Sequence, residues 1–177
     1  MTTLVGYATA QGSTRGVAER IAAILTAAGI EVDLQAAREM GPAHGYDTVV
    51  LGSAIHNGQW LPDATAAIER LDLPANRCAV WAYSVSSVGA TSTTLSPRVA
   101  RYLRRVTPEP DAVQMLRTRT ELRDHRFFAG AIAPGDWPGF GRIVFRLMGG
   151  RYGDARDWHD IDTWARTIGG EITENRH

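Results

Sequence analysis

The chain of 177 residues contains no lysine, a single cysteine and no long apolar run. All 19 of its basic residues are therefore arginines. Cys78 alone cannot form an intramolecular disulfide or a cysteine metal cluster, which is typical of a reducing compartment. No apolar stretch approaches the roughly 20 residues that span a bilayer. The start of the chain also lacks the basic and apolar segments of a signal peptide, so we expect a cytoplasmic protein.

Two nucleotide-binding signatures and a metal signature are missing as well. The chain has neither G-x-G-x-x-G nor the Gly-Lys-Ser/Thr ending of a P-loop, which disfavours a dinucleotide Rossmann site and an NTPase. No pair of its histidines has metal-ligand spacing. These histidines are His44, His56, His125, His159 and His177. We expect no metal and no nucleic-acid partner.

Charge is distributed unevenly, although the formal net charge is zero. Residues 1–90 and 152–177 are acidic, whereas residues 91–151 contain eleven arginines and five carboxylates. This basic middle segment suits an anionic partner or lipid headgroups, and it equally suits a set of solvated helix faces.

Short apolar runs alternate with helical patterns along the chain. The predicted strands are Leu4–Ala8, Glu31–Gln35, Thr48–Ser53, Cys78–Ser84 and Arg126–Ile132. The predicted helices are Thr14–Ala28, Leu61–Leu71, Pro97–Val106 and Trp158–Ile172. Such alternation indicates βαβ units, and continuously apolar strands favour a parallel sheet covered on both faces. We predict an α/β fold in one doubly wound domain, residues 1–177, with five parallel strands and an insertion at about 133–157.

The junction between the first strand and the first helix is rich in hydroxyls and small residues. It reads Thr9-Ala10-Gln11-Gly12-Ser13-Thr14. A doubly wound sheet binds its ligand at the carboxyl ends of the strands, where a helix N-terminus offers unpaired N–H groups and a positive dipole end. The hydroxyls add donors and Gly12 allows close approach, so the junction predicts a phosphate site that needs no lysine, to which Arg15 can add charge. In the alternative interpretation, Ser13 caps the helix and Gly12 makes the turn.

The segment YATAQGSTRGVAERIA, residues 7–22, resembles the phosphate loop of flavodoxins, which holds the 5′-phosphate of FMN. The similarity continues through YDTVVLGSAIHNGQW, residues 46–60, and FRLMGGRYGDARDWHDIDTWA, residues 145–165. These last two segments are most similar to the subgroup that includes the bacterial menaquinone-dependent protoporphyrinogen dehydrogenases. The resemblance implies a flavodoxin-like fold, a five-stranded sheet with helices on both faces, and FMN as the cofactor.

The resemblance also implies that two loops flank the flavin ring and supply backbone N–H groups near N5 and the pyrimidine carbonyl. The first loop is Ala54, Ile55, His56, Asn57 and Gly58, and the second is Ser84, Val85, Ser86, Ser87, Val88, Gly89 and Ala90. Trp60 is a candidate for stacking on the flavin, or it packs at the start of the next helix. His56 either bonds the flavin or relays a proton, or it is an ordinary loop histidine.

Residues 137–151 carry an amphipathic helical pattern. Its apolar stripe is Phe140, Ile143, Val144, Leu147 and Met148, with Arg142 and Arg146 beside it and further bulk from Trp137 and Phe145. One interpretation is a lid that receives a large planar carboxylate such as a porphyrin, or a quinone ring. The others are a peripheral contact with the inner face of a membrane and a helix packed on the sheet.

The resemblance implies an FMN-dependent oxidoreductase of the protoporphyrinogen dehydrogenase type, with a quinone as acceptor. A flavodoxin-type electron carrier without a small-molecule substrate is the alternative. The absence of an acidic surplus disfavours it, because carriers use an acidic face to meet their partners. A phosphorylated deazaflavin would use the same phosphate loop. The sequence predicts neither a catalytic residue nor the oligomeric state.

Overall fold

The computed structural model describes residues 2–72, 78–136 and 139–174. Its strands are β1 (Thr2–Ala8), β2 (Glu31–Ala36), β3 (Thr48–His56), β4 (Gln59–Trp60), β5 (Ala79–Ser86), β6 (Leu122–Ala129), β7 (Ala131–Ile132) and β8 (Gly153–Asp154). Its helices are α1 (Ser13–Ala27), α2 (Pro62–Arg70), α3 (Pro97–Val106), α4 (Asp111–Arg119), α5 (Phe140–Leu147) and α6 (Trp158–Glu174).

Five of the strands form one parallel sheet in the order β2-β1-β3-β5-β6. The chain moves outward from β1 to one edge at β2 and then, through β3, to the other edge at β6, which confirms the predicted doubly wound α/β fold. β4 pairs antiparallel with the end of β3, and β7 pairs with β8 apart from the main sheet. All five parallel strands therefore end at one edge, which we call the strand-end edge.

Each face of the sheet has its own core. Along β5, Val80 and Ala82 join a buried cluster beneath α2 and α4, whereas Trp81 and Tyr83 join a cluster beneath α1 and α6. This alternation follows from the two-residue period of a strand. The two sides are called the α2/α4 face and the α1/α6 face below.

The Tyr83 ring packs closely over Gly52 of β3 on the α1/α6 face. A Cβ on Gly52 would lie 2.0 Å from the Tyr83 ring, far inside contact distance. The Tyr83 hydroxyl donates to the backbone oxygen of Gly6 at 3.3 Å. Glycine at position 52 is therefore needed for the aromatic core of the α1/α6 face.

Two arginine–carboxylate pairs attach α6 to the rest of this face. Arg20 of α1 donates two hydrogen bonds of 2.7 Å to Asp162. These bonds hold the pKa of the Asp162 carboxyl below its usual value. Arg126 of β6 makes a second two-pronged contact with Asp160.

The structure differs from the predicted elements at the sheet edge. The fifth parallel strand begins at Leu122 rather than Arg126 and ends at Ala129, and Ala131–Ile132 forms the separate strand β7. Residues 123–126 are charged or polar, which an edge strand tolerates and a central strand does not. Helix α4 was not predicted, although Ala112, Val113 and Leu116 provide a buried helical stripe. No helix among the described residues is long and apolar enough to cross a membrane.

Candidate functional site at the strand-end edge

The loop between β1 and α1 is closed by its own side chains. Gly12 has φ +84°, a left-handed conformation that favours glycine, and its N–H donates to Thr9 Oγ1 at 2.9 Å. Gly12 is also the N-cap residue of α1, with no side-chain cap and no acidic residue in the first turn. Ser13 is the first helical residue, and its Oγ accepts from the N–H of Ala131 at 2.8 Å. The interpretation of Ser13 as the cap is therefore wrong, because its side chain is bonded to the chain after β6.

This loop leaves hydroxyl donors for an anion. Thr14 Oγ1 is buried and has no hydrogen-bond partner among the described residues. Thr9 and Ser13 use their oxygens as acceptors, so each retains a proton that can be donated. A Cβ on Gly12 would meet nothing within 4 Å, and Ala10 and Gln11 are exposed. An orphaned buried hydroxyl beside an uncapped helix N-terminus fits a phosphate group.

The arginines near this loop have separate roles. Arg15 turns along the helix to Glu19 at 2.8 Å, and that pair is largely exposed. Sequence reasoning missed Arg156, whose Nη1 lies 2.4 Å from the position that a Cβ on Gly16 would take. Arg156 is oriented by Asp154, at 2.8 and 2.6 Å, and lies 4.5 Å above the Trp158 ring. A positive group therefore packs against the first turn of α1.

The first predicted flavin loop is a hairpin. Ala54, Ile55 and His56 are the last residues of β3, and β4 returns beside them through the turn Asn57-Gly58. Both turn residues have positive φ, 50° and 78°, as a two-residue hairpin turn of type I′ requires. The hairpin exposes His56, Asn57 and Gly58 at the strand-end edge, whereas Ala54 and Ile55 are half-buried.

Trp60 packs inside the α2/α4 face. It is buried, and its indole Nε1 donates to Ser84 Oγ at 2.7 Å. The prediction that Trp60 stacks on the flavin is therefore wrong, and the packing interpretation is confirmed.

The second predicted loop begins later than expected, because Ser84, Val85 and Ser86 still belong to β5. Ser84 and Val85 are buried, as is Gly89. In the loop itself, Ser87 and Val88 are half-buried.

The backbone N–H groups of this second loop are already used within the protein. Those of Val88, Gly89 and Ala90 donate to Ser86 Oγ, Ser92 O and Phe127 O at 3.1, 2.9 and 2.8 Å. These three groups are thus bonded inside the chain rather than available to a flavin. The loop is also held by Arg104 of α3, which donates to the oxygens of Gly89 and Ser92 at 2.8 and 3.2 Å.

A buried polar chain runs from Ser84 to the edge of the sheet. Ser84 Oγ lies 2.8 Å from His125 Nε2, and His125 Nδ1 lies 2.9 Å from Glu109 Oε1. Arg117 completes the chain with two bonds to Glu109 of 3.0 and 2.9 Å. Burial lowers the pKa of His125 below its usual 6.5, against the opposing effect of Glu109. Neutral His125 then donates from Nδ1 to Glu109 and accepts the Ser84 proton at Nε2.

This hydrogen-bond order is that of a Ser–His–acid triad, but Ser84 is 0% exposed and cannot reach a substrate. Its role is to hold Trp60, and with Trp60 the β3–β4 hairpin. Sequence reasoning missed the network because the fifth strand was begun at Arg126, which left His125 at an element end.

Helix α5 packs against the protein with the side that carries Phe145, not with its predicted apolar stripe. Phe145 is 0% exposed and joins Leu95 and Ile132 in a small third core, whereas Phe140 and Leu147 are exposed. Of the other stripe residues, Ile143 is exposed, Val144 is half-buried, and Met148 packs against the third core. The stripe therefore does not pack on the sheet as a whole, and that interpretation is wrong. Trp137, which was expected with Phe145 to add apolar bulk beside the stripe, lies outside the described residues.

The end of α5 is bonded to the second flavin loop region. Arg151 N–H donates to Thr94 O at 2.8 Å, and Ser96 N–H donates to Met148 O at 3.2 Å. Val88 also packs against the third core. Helix α5 thus lies beside the chain that follows β5, at the strand-end edge.

Comparison with known proteins agrees with this architecture. The sequence matches the model of the flavodoxin domain family over residues 4–149. Flavodoxin 2 from Bacillus cereus has a TM-score of 0.59 and 19% identity, with 97% of this chain and 99% of that chain covered. The flavodoxin of Streptococcus pneumonia TIGR4 has a TM-score of 0.58 and 12% identity, with the same coverage of 97% and 99%.

A larger protein, rubredoxin oxygen:oxidoreductase from Desulfovibrio gigas, has a TM-score of 0.61 and 14% identity. The similarity covers 98% of this chain but only 36% of that one, so the chain spans about a third of its length. No curated protein matches the sequence. At these identities the solved structures establish a shared fold.

Proposed function

Because this chain belongs to the flavodoxin domain family, we propose that it is an oxidoreductase that oxidises a small-molecule substrate through FMN. Family membership makes it an FMN-binding redox protein, and the loop of residues 9–14 fits the phosphate of that cofactor. When bound, FMN accepts a hydride or single electrons from one partner and delivers electrons to another. The substrate that we propose is a protoporphyrinogen-type tetrapyrrole, with a quinone as the acceptor.

The chain's own residues bind and orient the cofactor. The hydroxyls of Thr9, Ser13 and Thr14 donate to phosphate oxygens at the positive end of α1. The β3–β4 hairpin, which the hydrogen bond between Trp60 and Ser84 holds in place, would border the flavin ring. Its exposed residues His56 and Asn57 are the polar groups nearest to the hairpin tip.

One observation supports a small-molecule substrate over a protein partner. Helix α5 presents an apolar stripe with Arg142 and Arg146 beside it, and its end is bonded to the loop after β5. A large planar carboxylate requires this combination, because its ring needs apolar contact and its carboxylates pair well with guanidinium groups.

An electron carrier remains the second candidate. The two flavodoxins compared above match this chain over 97% of its length and 99% of theirs, so the similarity extends over nearly all of each chain. A carrier would exchange electrons with a reductase and turn over no small molecule.

The phosphate loop is tested first, with Thr14→Val. This change removes a buried hydroxyl that has no partner, so the apo-protein should be equally stable or slightly more stable. The dissociation constant of FMN should rise about tenfold or more, since a bond to a charged group is lost. Thr26→Val, at the exposed far end of α1, is the matched control. Equal FMN affinity in both variants would contradict the assignment.

The substrate is tested on the FMN-loaded protein without oxygen. We expect protoporphyrinogen to bleach the flavin absorbance and menaquinone to restore it, with catalytic turnover when both are present. Reduction by a flavodoxin reductase without turnover of either small molecule would instead establish the carrier.

A further inference from the structure

The two most exposed large apolar side chains among the described residues, Leu147 and Phe140, lie on helix α5, and Ile143 of the same helix is also exposed. Phe140, Ile143 and Leu147 are 77%, 54% and 82% exposed. Positions i, i+3 and i+7 lie along one side of a helix, so the three form a continuous line, called the α5 stripe below. Isolated exposed apolar residues are ordinary, but a line of three on one helix indicates an interaction surface.

The stripe is presented by a firmly seated helix. On the opposite side of α5, Phe145 is completely buried against Leu95, Ile132 and Tyr152. A Cβ on Gly150 would lie 2.6 Å from the Phe145 ring, so the chain after α5 folds tightly under this anchor. The outward direction of the stripe is therefore fixed by packing.

Positive charge surrounds the stripe. Arg142 and Arg146 are exposed, stand one turn apart, and border a shallow recess of about 330 Å³ with Ile143. No acidic residue occurs in residues 137–153, which also contain Arg151. Residues 87–108, which follow β5 and include α3, have four arginines and no acidic residue.

The shape of this surface favours an anionic lipid bilayer over an anionic protein as its partner. A protein partner needs a complementary pocket for each protruding side chain, whereas a fluid bilayer interface accepts them without one. Long arginine side chains beside an apolar line can lie along the interface and pair with phosphate groups. The recess between Arg142 and Arg146 has room for such a headgroup.

We propose that α5 is a docking surface for an anionic lipid bilayer, in which the α5 stripe enters the headgroup region and its two arginines contact lipid phosphates. The lipid assignment concerns the same stripe and arginines that the proposed function offers to a planar carboxylate, so the two are alternatives for this surface. It requires no substrate, and it places the strand-end edge close to where a quinone dissolves. Three apolar side chains and two charges give weak, reversible binding that requires both contributions.

The test is co-sedimentation of the FMN-loaded protein with vesicles, without any redox substrate. Binding is expected to vesicles of phosphatidylcholine with phosphatidylglycerol, to weaken with added salt, and to be absent with phosphatidylcholine alone. Phe140→Ser with Leu147→Ser should lower the partition coefficient about 100-fold. Arg142→Gln with Arg146→Gln should lower it about 30-fold.

The matched control is Arg38→Gln with Arg166→Gln, which also removes two positive charges, but from exposed sites outside α5. It should bind as the unmodified protein does, and circular dichroism should show all variants folded. Equal loss in the control, or binding that survives both α5 variants, would overturn the proposal. So would a dimer in analytical ultracentrifugation that the serine variant dissociates, because a second copy would then cover the stripe.

Discussion

The two faces of the sheet are joined to their helices by different polar contacts. On the α1/α6 face, Arg20 and Arg126 bind carboxylates of α6, and these contacts involve permanent guanidinium charges. On the α2/α4 face, the neutral imidazole of His125 links Ser84 to Glu109. The first face is therefore expected to keep its contacts across the neutral range, whereas the second contains a group that titrates close to it.

The largest effect is expected at Gly52 of β3, against which the Tyr83 ring packs on the α1/α6 face. Gly52→Ala would force a methyl group into the Tyr83 ring and should cost about 3 kcal/mol of unfolding free energy. Denaturant unfolding measures this loss. Gly170→Ala on α6 is the control, since a Cβ there meets nothing within 4 Å and alanine favours helix. If Gly52→Ala were as stable as the control, the close packing around Tyr83 would be refuted.

A smaller effect is expected from breaking one charge pair on the α1/α6 face. Asp160→Asn leaves the guanidinium of Arg126 without its charged partner and should cost about 2 kcal/mol. The loss should be similar at pH 6 and pH 8, because neither asparagine nor arginine titrates there. Glu19→Gln, in the exposed pair with Arg15, should change unfolding free energy far less. If the loss of unfolding free energy differed strongly between pH 6 and pH 8, the contacts of the α1/α6 face would not be independent of pH as expected.

At neutral pH the smallest effect is expected on the α2/α4 face, because it develops only as the pH falls. The folded pKa of His125 is lowered, chiefly by burial, so below about pH 6.5 the unfolded chain binds a proton that the folded chain does not. Stability should therefore fall as pH falls from 7 to 5, by at most about 1.4 kcal/mol per pH unit for this one proton. Arg117 adds to the lowering, whereas Glu109 and Asp124 oppose it.

His125→Gln should flatten this slope, and unfolding at several pH values measures it. His159→Gln, on the exposed side of α6, should leave the slope unchanged. The lowered pKa of Glu109 affects stability only at lower pH, below its usual 4.5, so the two groups can be separated. If unfolding free energy depended on pH as strongly in His125→Gln as in the unmodified protein, a group other than His125 would cause the acid sensitivity.

The sheet was predictable because its central strands are apolar on both faces. Segments such as Thr48–Ser53 and Cys78–Ser84 have only one stable environment, the interior of a parallel sheet. The predicted carboxyl ends of these strands were less accurate, since β3 extends to His56 and β5 to Ser86. Local composition does not determine where pairing with a neighbouring strand stops.

The candidate site was predictable where its chemistry is local. The hydroxyls of residues 9–14 are neighbours in sequence, so their common direction at a helix N-terminus could be inferred. The contact of Ser84 with His125 joins residues 41 positions apart, and Arg156 reaches Gly16 from the other end of the chain. Such contacts depend on strand order and register. Likewise, the pattern of α5 defined a stripe but not that Phe145 would be the buried residue.

The packing of α1 against α6 also affects the order of assembly during synthesis. Arg20 and Asp162 are separated by 142 positions, and α1 shares its buried cluster with five residues of α6, namely Ile161, Trp164, Ala165, Ile168 and Ile172. By contrast, α2 and α4 have both been synthesised before β6 begins. On a ribosome, the nascent chain therefore leaves the side of α1 that contacts α6 uncovered long after the α2/α4 face can be covered, and this interval is when a chaperone would have most to bind.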